Sequence, residues 1–489
     1  MAINRREFLK KSTLAFGGLS LSKLSKFGND KPSQRPNIVF VFADQMRRQA
    51  LGFTHQDPVH TPNLNRFASQ GLYMPNTISN RPLCSPFRAM MVTGKFPYCN
   101  DVVTNCNSST TKYNNYLKKT ERIFTDVLSE NGYNVGYIGK WHMDPPTAPD
   151  ATDWRKAEWG AFVPPERRHG IDFWHAYNDH NRHDNPYYWT THAKADEKTV
   201  IHEWSPRHEA GVAIDYIENR NGKHRNSDKP FALFWSMNPP HPPFHEVPQE
   251  YLDRYDGKAA DELLNRPNVP EDHKPSHQNI KNYLAMVTGV DEQFGRLLDT
   301  LKKNGLHENT IVVFTADHGE MMGSHGLMGK NYWYEESSGI PFLIRWPGKI
   351  NQRSDNLLFN VPDMMPTLLG LTGIDDVPYG VQGTDYSPIL LGEKMTRPDS
   401  SLYMRTLKPS DDFGTAKGGR GVRTHTHTFV IDWNNNEKTY YLFNNETDPY
   451  QMNNIADQNP ALVKELSQKT KEWLEYTDDP WFYKWDYVS

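Results

Sequence analysis

Cysteine is scarce in this chain, with three residues in 489. That excludes a small scaffold stapled by disulfides, which needs dense and even-numbered cysteines. No apolar run approaches the roughly 20 residues that a bilayer-crossing helix requires, and the mean hydropathy is −0.77. An excess of charge of one sign is missing too. The formal net charge is −4, and with a pI near 6.6 nothing marks a nucleic-acid partner. There is no internal repeat of about 20–50 residues and no low-complexity tract. What remains is a chain long enough for one large domain and a smaller one.

The first residues stand apart from the rest. Asn4-Arg5-Arg6-Glu7-Phe8-Leu9-Lys10-Lys11, followed by a mildly apolar stretch from Ser12 to Leu21, reads as a twin-arginine export signal. A basic amphipathic surface helix is the competing reading. Paired arginines followed by Phe-Leu-Lys favour export, through the twin-arginine translocase, to the periplasm or the extracellular space. No cysteine lies in this segment, so no lipid anchor is suggested, and no Ala-x-Ala before Pro36 marks a cleavage point.

Beyond Pro36 the chain alternates strands and helices. Asn37 to Phe42, Phe231 to Ser236 and Thr310 to Ala316 are continuous apolar, β-branched and aromatic runs, read as buried strands. Pro62 to Gly71, Arg122 to Gly132, Arg207 to Asn219 and Asn279 to Gly305 are predicted helices that end at Gly or Asn. Tyr283, Val287, Val290, Phe294, Leu297 and Leu301 recur at three- and four-residue steps, an apolar stripe suited to packing on a sheet. The alternation argues for an α/β fold with a large, mostly parallel sheet sandwiched by helices. Asp144 to Thr199 lacks clear periodicity and is expected to be a long insertion over the site. After about Ser400 the character changes. Gly421 to Arg423, Thr428 to Asp432 and Thr439 to Phe443 read as antiparallel strands, and Pro460 to Tyr476 as a helix. The expected division is therefore residues 1–35 as export signal and linker, 36–395 as catalytic domain, and 396–489 as a smaller C-terminal α+β subdomain.

The richest stretch is Cys84-Ser85-Pro86-Phe87-Arg88, followed by Thr93-Gly94. It sets a candidate nucleophile, a rigid residue and a fixed cation within five positions. Taken alone, Cys84 could be inert core and Pro86 a helix start. Context changes the balance. The first strand ends at Asp44-Gln45 and a late one at Asp317-His318-Gly319, and in open α/β sheets ligands sit beyond the carboxyl ends of the strands. Asp44, Gln45 and Asp317 offer the oxygen donors that a hard divalent cation prefers. Either acid alone would be better explained as a cap. Tyr137-Ile138-Gly139-Lys140-Trp141-His142 ends another strand, His241 is held between Pro239-Pro240 and Pro242-Pro243, and Gly329-Lys330 precedes Tyr334 and Glu335.

These motifs, in this order from about Pro36 to Tyr450, resemble the type I sulfatases of the alkaline phosphatase superfamily. The resemblance implies an alkaline phosphatase-like fold and hydrolysis of sulfate esters. It implies that a maturation enzyme oxidises Cys84 to formylglycine, and that one calcium ion is held by Asp44, Gln45, Cys84, Asp317 and His318. Arg88, Lys140, His142, His241 and Lys330 are the implied catalytic partners. A hydroxyl of the hydrated aldehyde would displace the alcohol from sulfur, His241 or Lys330 would protonate the leaving oxygen, and His142 would take the second hydroxyl's proton as sulfate departs. Gln45 and His318 are the less common choices at the metal. Phe87 stands where a small residue is usual, and Lys95 where arginine is common. With Cys84 modified, Cys99 and Cys106 would be left as an even pair, free to close a small disulfide or to stay as buried thiols.

Two other functions stay open in the sequence: a phosphate or phosphonate monoester hydrolase of the same superfamily, and an unmodified binder of sulfated glycans. An exported sulfatase implies sulfated oligo- or polysaccharide as substrate. Trp174, Tyr177, Tyr187, Tyr188 and Trp189 offer faces suited to sugar rings, with His175, His180 and Arg182 as donors. Packing within the insertion's own core explains the same aromatics equally well.

Overall fold

The computed structural model describes residues 35–146, 158–406, 418–434 and 437–488. The expected export signal lies outside them. Five parallel strands form the centre of a ten-stranded sheet. They are β1 (Asn37–Asp44), β2 (Asn134–Lys140), β3 (Phe173–Tyr177), β4 (Phe231–Pro240) and β5 (Thr310–Ala316). Their spatial order is β5-β1-β4-β2-β3. Every residue of β1 is buried, because helices cover both faces of the sheet. That explains why these strands read as unbroken apolar runs. The edges break the parallel rule. Phe342–Arg345 runs antiparallel to β5, and Tyr187–Thr190 antiparallel to β3.

Helix α1 spans Cys84–Thr93, α2 Ser205–Glu218, α3 Lys274–Lys303 and α4 Pro460–Tyr476. The whole predicted stripe of α3 is buried. Phe294 on that stripe meets Phe314 of β5 and Phe67 with ring centroids 5.0 and 5.1 Å away, and truncating such a residue costs about 3–5 kcal/mol. The helix starts ahead of the predicted Asn279 because Pro275 sits in its first turn, where a fixed φ is already helical.

A four-stranded antiparallel sheet follows: β6 (Ser400–Thr406), β7 (Gly418–Thr424), β8 (His427–Asn434) and β9 (Glu437–Asn444). Three of the four were legible in the sequence, and β6 was not. Together the layers make a large mixed sheet flanked by helices with a small C-terminal antiparallel subdomain.

The expected insertion, Asp144 to Thr199, takes part in the main sheet: β3, Tyr187–Thr190 and Thr199–Val200 extend it. Strands of five, four and two residues are too short to show a period. Of the two alternatives left open for Cys99 and Cys106, the structure has the thiols: they form no disulfide. The Cys99 thiol donates to Thr477 O at 3.4 Å. Cys106 is buried elsewhere, and burial pushes its thiol up to about 12.

Glu209 of α2 lies fully buried under the sheet, accepting from Trp235 Nε1 (2.9 Å) and Tyr188 OH (2.8 Å). Burial pushes its carboxyl up to about 8. A carboxyl that is harder to ionise folded than unfolded lowers stability as pH climbs between its two pKa values. Stability should therefore fall from about pH 4.5 to about pH 8 through this group. Glu209→Gln is expected to flatten that slope and to melt a few degrees higher at pH 8. Calorimetry across the range checks it.

Candidate active site

Three strand ends and one helix start meet at one rim of the sheet. β1 delivers Asp44 and then Gln45, whose φ of 70° is left-handed. That conformation is uncommon for a residue with a side chain. It turns the Gln45 amide N–H onto Asp317 Oδ1 at 2.9 Å. β5 delivers Asp317 and His318. The chain then passes Gly319 so closely to the next segment that a Cβ there would lie 1.9 Å from Glu336 O. Only glycine fits, and the close pass fixes where Asp317 and His318 point.

Helix α1 begins at Cys84, and all ten of its residues are buried. Pro86 sits in the first turn, where it costs no helical hydrogen bond. Gly94 closes the helix at φ 64°, its N–H donating to Met90 O at 2.9 Å. Cys84 and Arg88 are four apart and so share a face. Arg88 Nη2 reaches Asp44 Oδ2 (3.1 Å) and Asp317 Oδ2 (3.4 Å). Its Nη1 donates to Lys140 O and Ser236 Oγ, both at 2.6 Å. One guanidinium thus ties α1 to β1, β2, β4 and the end of β5.

The thiol of Cys84 lies 3.2 Å from Lys330 Nζ, 3.3 Å from His318 Nε2 and 3.7 Å from Asp44 Oδ1. Burial and the charge of Asp44 oppose its ionisation. Lys330, Lys140 and then His142 outweigh them, and the thiol sits below its usual range. Despite burial, Lys140, His241, Lys330 and His318 hold Asp44 well below the ordinary carboxylate range. Asp317 goes the other way, pushed up to about 7 by burial and by the charge of Asp44 beside it. The ligand atoms of Asp44, Cys84, Asp317 and His318 all lie within 4.8 Å of one another. Gln45 Oε1 accepts from Lys330 Nζ at 2.7 Å.

Two residues here escaped the sequence reading. Asp179, just past β3, is buried with Oδ1 2.9 Å from Lys140 Nζ and 3.7 Å from His142 Nδ1. A strand-end rule would have found it had β3 been recognised. Glu320 takes the Gln45 side-chain amide and accepts from Met322 N and Gly329 N at 2.9 and 2.6 Å. No pattern in the sequence signals that role. His142 has φ 52° and donates its backbone N–H to Asn178 O at 2.6 Å. His241 Nδ1 faces Pro242 O at 2.7 Å, and its carbonyl accepts from His183 Nε2 at 2.8 Å.

The structure therefore gathers Asp44, Gln45, Cys84, Arg88, Lys140, His142, His241, Asp317, His318 and Lys330 into one cluster. His180 and Arg182 are different. His180 is buried with both nitrogens engaged, Nε2 on Tyr187 O (3.1 Å) and Nδ1 on Arg182 N (3.3 Å). Arg182 is exposed, over the Tyr187 ring. Trp174, Tyr177, Tyr188 and Trp189 are buried, so packing accounts for those four, and only Tyr187 keeps part of its face open.

Comparison with known proteins places this geometry. Residues 36–374 match the family model described as Sulfatase, and residues 323–478 the one described as N-sulphoglucosamine sulphohydrolase, C-terminal. The chain is 39% identical to an endo-4-O-sulfatase of Bacteroides thetaiotaomicron, covering 92% of this chain and 94% of that protein. It is 33% identical to an ulvan-active sulfatase of Formosa agariphila, covering 92% and 83%. A solved structure from work on glycosaminoglycan metabolism by Bacteroides thetaiotaomicron superposes with a TM-score of 0.87 at 37% identity, over 93% of this chain and 100% of that one.

The Arg88 fork generates a stability prediction. Replacing it with methionine leaves two buried carboxylates without their shared partner, and breaking a buried pair from one side costs about 3–5 kcal/mol. Urea denaturation of metal-free protein should show a loss of that size in Arg88→Met. A loss below about 1 kcal/mol, the size of an exposed pair, would mean that the fork carries no weight.

Proposed function

The chain belongs to the sulfatase family and is a sulfuric ester hydrolase, and from that premise we propose that it removes sulfate from sulfated oligo- and polysaccharides with a formylglycine made from Cys84 and one calcium ion. The observation that carries the reading is Cys84. It is a buried thiol at the start of a helix, with Lys330 Nζ, His318 Nε2 and Asp44 Oδ1 all within 3.7 Å of its sulfur. The names of the two relatives support a sulfated glycan as substrate. The paired arginines at residues 5 and 6 support export. Among the described residues no helix is long and apolar enough to cross a membrane.

The donor set fits a divalent cation. The ligand atoms of Asp44, Cys84, Asp317 and His318 lie within 4.8 Å of one another, close enough to share one ion. Asp44, Gln45 and Asp317 bring the oxygens that calcium prefers. His318 brings a softer nitrogen, and the Cys84 sulfur stands where the modified residue would present oxygen. When present, the calcium would draw charge from the sulfate oxygens and the hydrated aldehyde would supply the attacking hydroxyl.

The chain's own side chains have separate tasks in this reading. Lys140 and Lys330, both acting on Cys84, present ammonium groups to an incoming sulfate. Arg88 uses both terminal nitrogens on protein partners, so it positions Asp44 and Asp317 rather than touching substrate. His142 acts on the Cys84 thiol and leans on Asp179, while among the described residues neither of its ring nitrogens is taken by a hydrogen bond, which suits a base that takes a proton there. Burial and then the charge of Lys330 hold His241 well below its ordinary range. That makes Lys330 the favoured donor to the leaving oxygen, with His241 beside it. Arg182, exposed, remains a candidate for the glycan, whereas His180 shapes the loop that carries it.

Two experiments test the reading. Cys84→Ala and Cys84→Ser should abolish sulfate release with the circular dichroism spectrum unchanged. Peptide mass spectrometry across Cys84 should find the aldehyde in active protein, and fully active protein carrying only the thiol would sink the proposed nucleophile. Independently, elemental analysis should find about one calcium per chain, and chelation should lower both activity and melting temperature. Zinc in its place, or activity in metal-free protein, would contradict the assignment.

A further inference from the structure

Beside the loop that carries Lys330 lies a partly buried guanidinium. Arg405, on β6, lies with Cζ 5.2 Å from the centre of the Tyr332 ring and 5.6 Å from that of a Trp333 ring. Among the described residues its buried Nε has no hydrogen-bond partner and it forms no ion pair. Asp432 is the acid that feels its charge, and among the described residues one carboxylate oxygen of that residue is buried without a hydrogen-bond partner. Arg405 is only partly buried. The aromatic faces hold its stem and plane, so little side-chain freedom is left to lose when a ligand arrives.

Its place is tied to the nucleophile's own loop. Met404 N donates to Asn80 O at 2.8 Å, and Asn80 Nδ2 donates to Leu402 O at 2.7 Å. Tyr332 lies two residues after Lys330, whose Nζ is 3.2 Å from Cys84 Sγ. Arg81, three residues before Cys84, donates to the Asn331 side chain. Burial lowers it to about 10, and the charges of Arg420 and Arg405 push the same way.

We infer that Arg405, seated on Tyr332 and Trp333, is a subsite for a second anionic group of the sugar chain, a uronate carboxylate or a further sulfate, beside the sulfate that is removed. The inference rests on the glycan-sulfatase reading and narrows its substrate to polyanionic glycans. A planar guanidinium edge pairs two parallel N–H groups with either anion.

The test compares three oligosaccharides of one backbone: sulfated with uronate carboxylates, the same after reduction of the carboxyls to alcohols, and the reduced form carrying a second sulfate. Binding is measured calorimetrically on Cys84→Ala protein, and turnover on the mature enzyme. The carboxylated or the doubly sulfated form should bind on the order of ten-fold tighter than the reduced one, as for a charge-assisted hydrogen bond. Which of the two gains identifies the anion. Arg405→Met, which keeps an unbranched stem over the rings, should collapse that ratio towards one and act through KM more than kcat. Arg405→Lys should recover part of the preference. An undiminished ratio in Arg405→Met, or no preference in the parent protein, overturns the subsite. Failure of the mature enzyme to release sulfate from any of the three defeats the catalytic reading instead, and the binding comparison still decides the subsite.

Discussion

The structure turns on one buried guanidinium. Asp44 and Asp317 arrive from two adjacent parallel strands with their side chains wholly buried, and Arg88 is the cation that both of them touch. Taking ionised groups out of water costs several kcal/mol each unless geometry and hydrogen bonds repay it. The fork repays it by using its other nitrogen on the Lys140 carbonyl and the Ser236 hydroxyl. Fold and site are therefore not separable here. The contact that lets the sheet close over α1 is the same contact that aims the acids at the cluster.

Around that centre the charges are layered by depth. Asp44, Asp317 and Asp179 are almost fully buried, and Lys140 joins two of them at 2.9 Å. Lys330 is the outermost cation of the set, with 16% of its side chain exposed. A sulfated ligand therefore meets the Lys330 ammonium before it meets Asp44, and the low dielectric beneath strengthens that contact.

Much of this was legible because burial on both faces writes itself into sequence. β1, β4 and β5 read as unbroken apolar runs, and Asp44 and Asp317 at the ends of β1 and β5 followed from the strand-end rule. Pro460 and Tyr476 were found as helix limits because the segment's own periodicity is intact. What stayed hidden depends on contacts made by distant segments. Asp179 needed β3, whose five residues carry no period of their own. His180 looked like a free donor because nothing local announces that Tyr187 O and Arg182 N will occupy its ring. Whether Cys99 and Cys106 pair stayed open because spacing says nothing of direction; their thiols face different neighbours.

The burial of α1 also sets an order in time. Cys84 is 1% exposed, inside a helix whose ten residues are all covered. No second protein can reach that side chain once the sheet has closed over it. Any enzyme that rewrites the thiol has to meet the stretch from Cys84 to Arg88 while it is still an extended peptide. In the formylglycine reading proposed for Cys84, folding then acts as a deadline: a chain that closes early would be sealed with its sulfur in place, stable and idle, and the share of working molecules would be set at synthesis by a race between two rates.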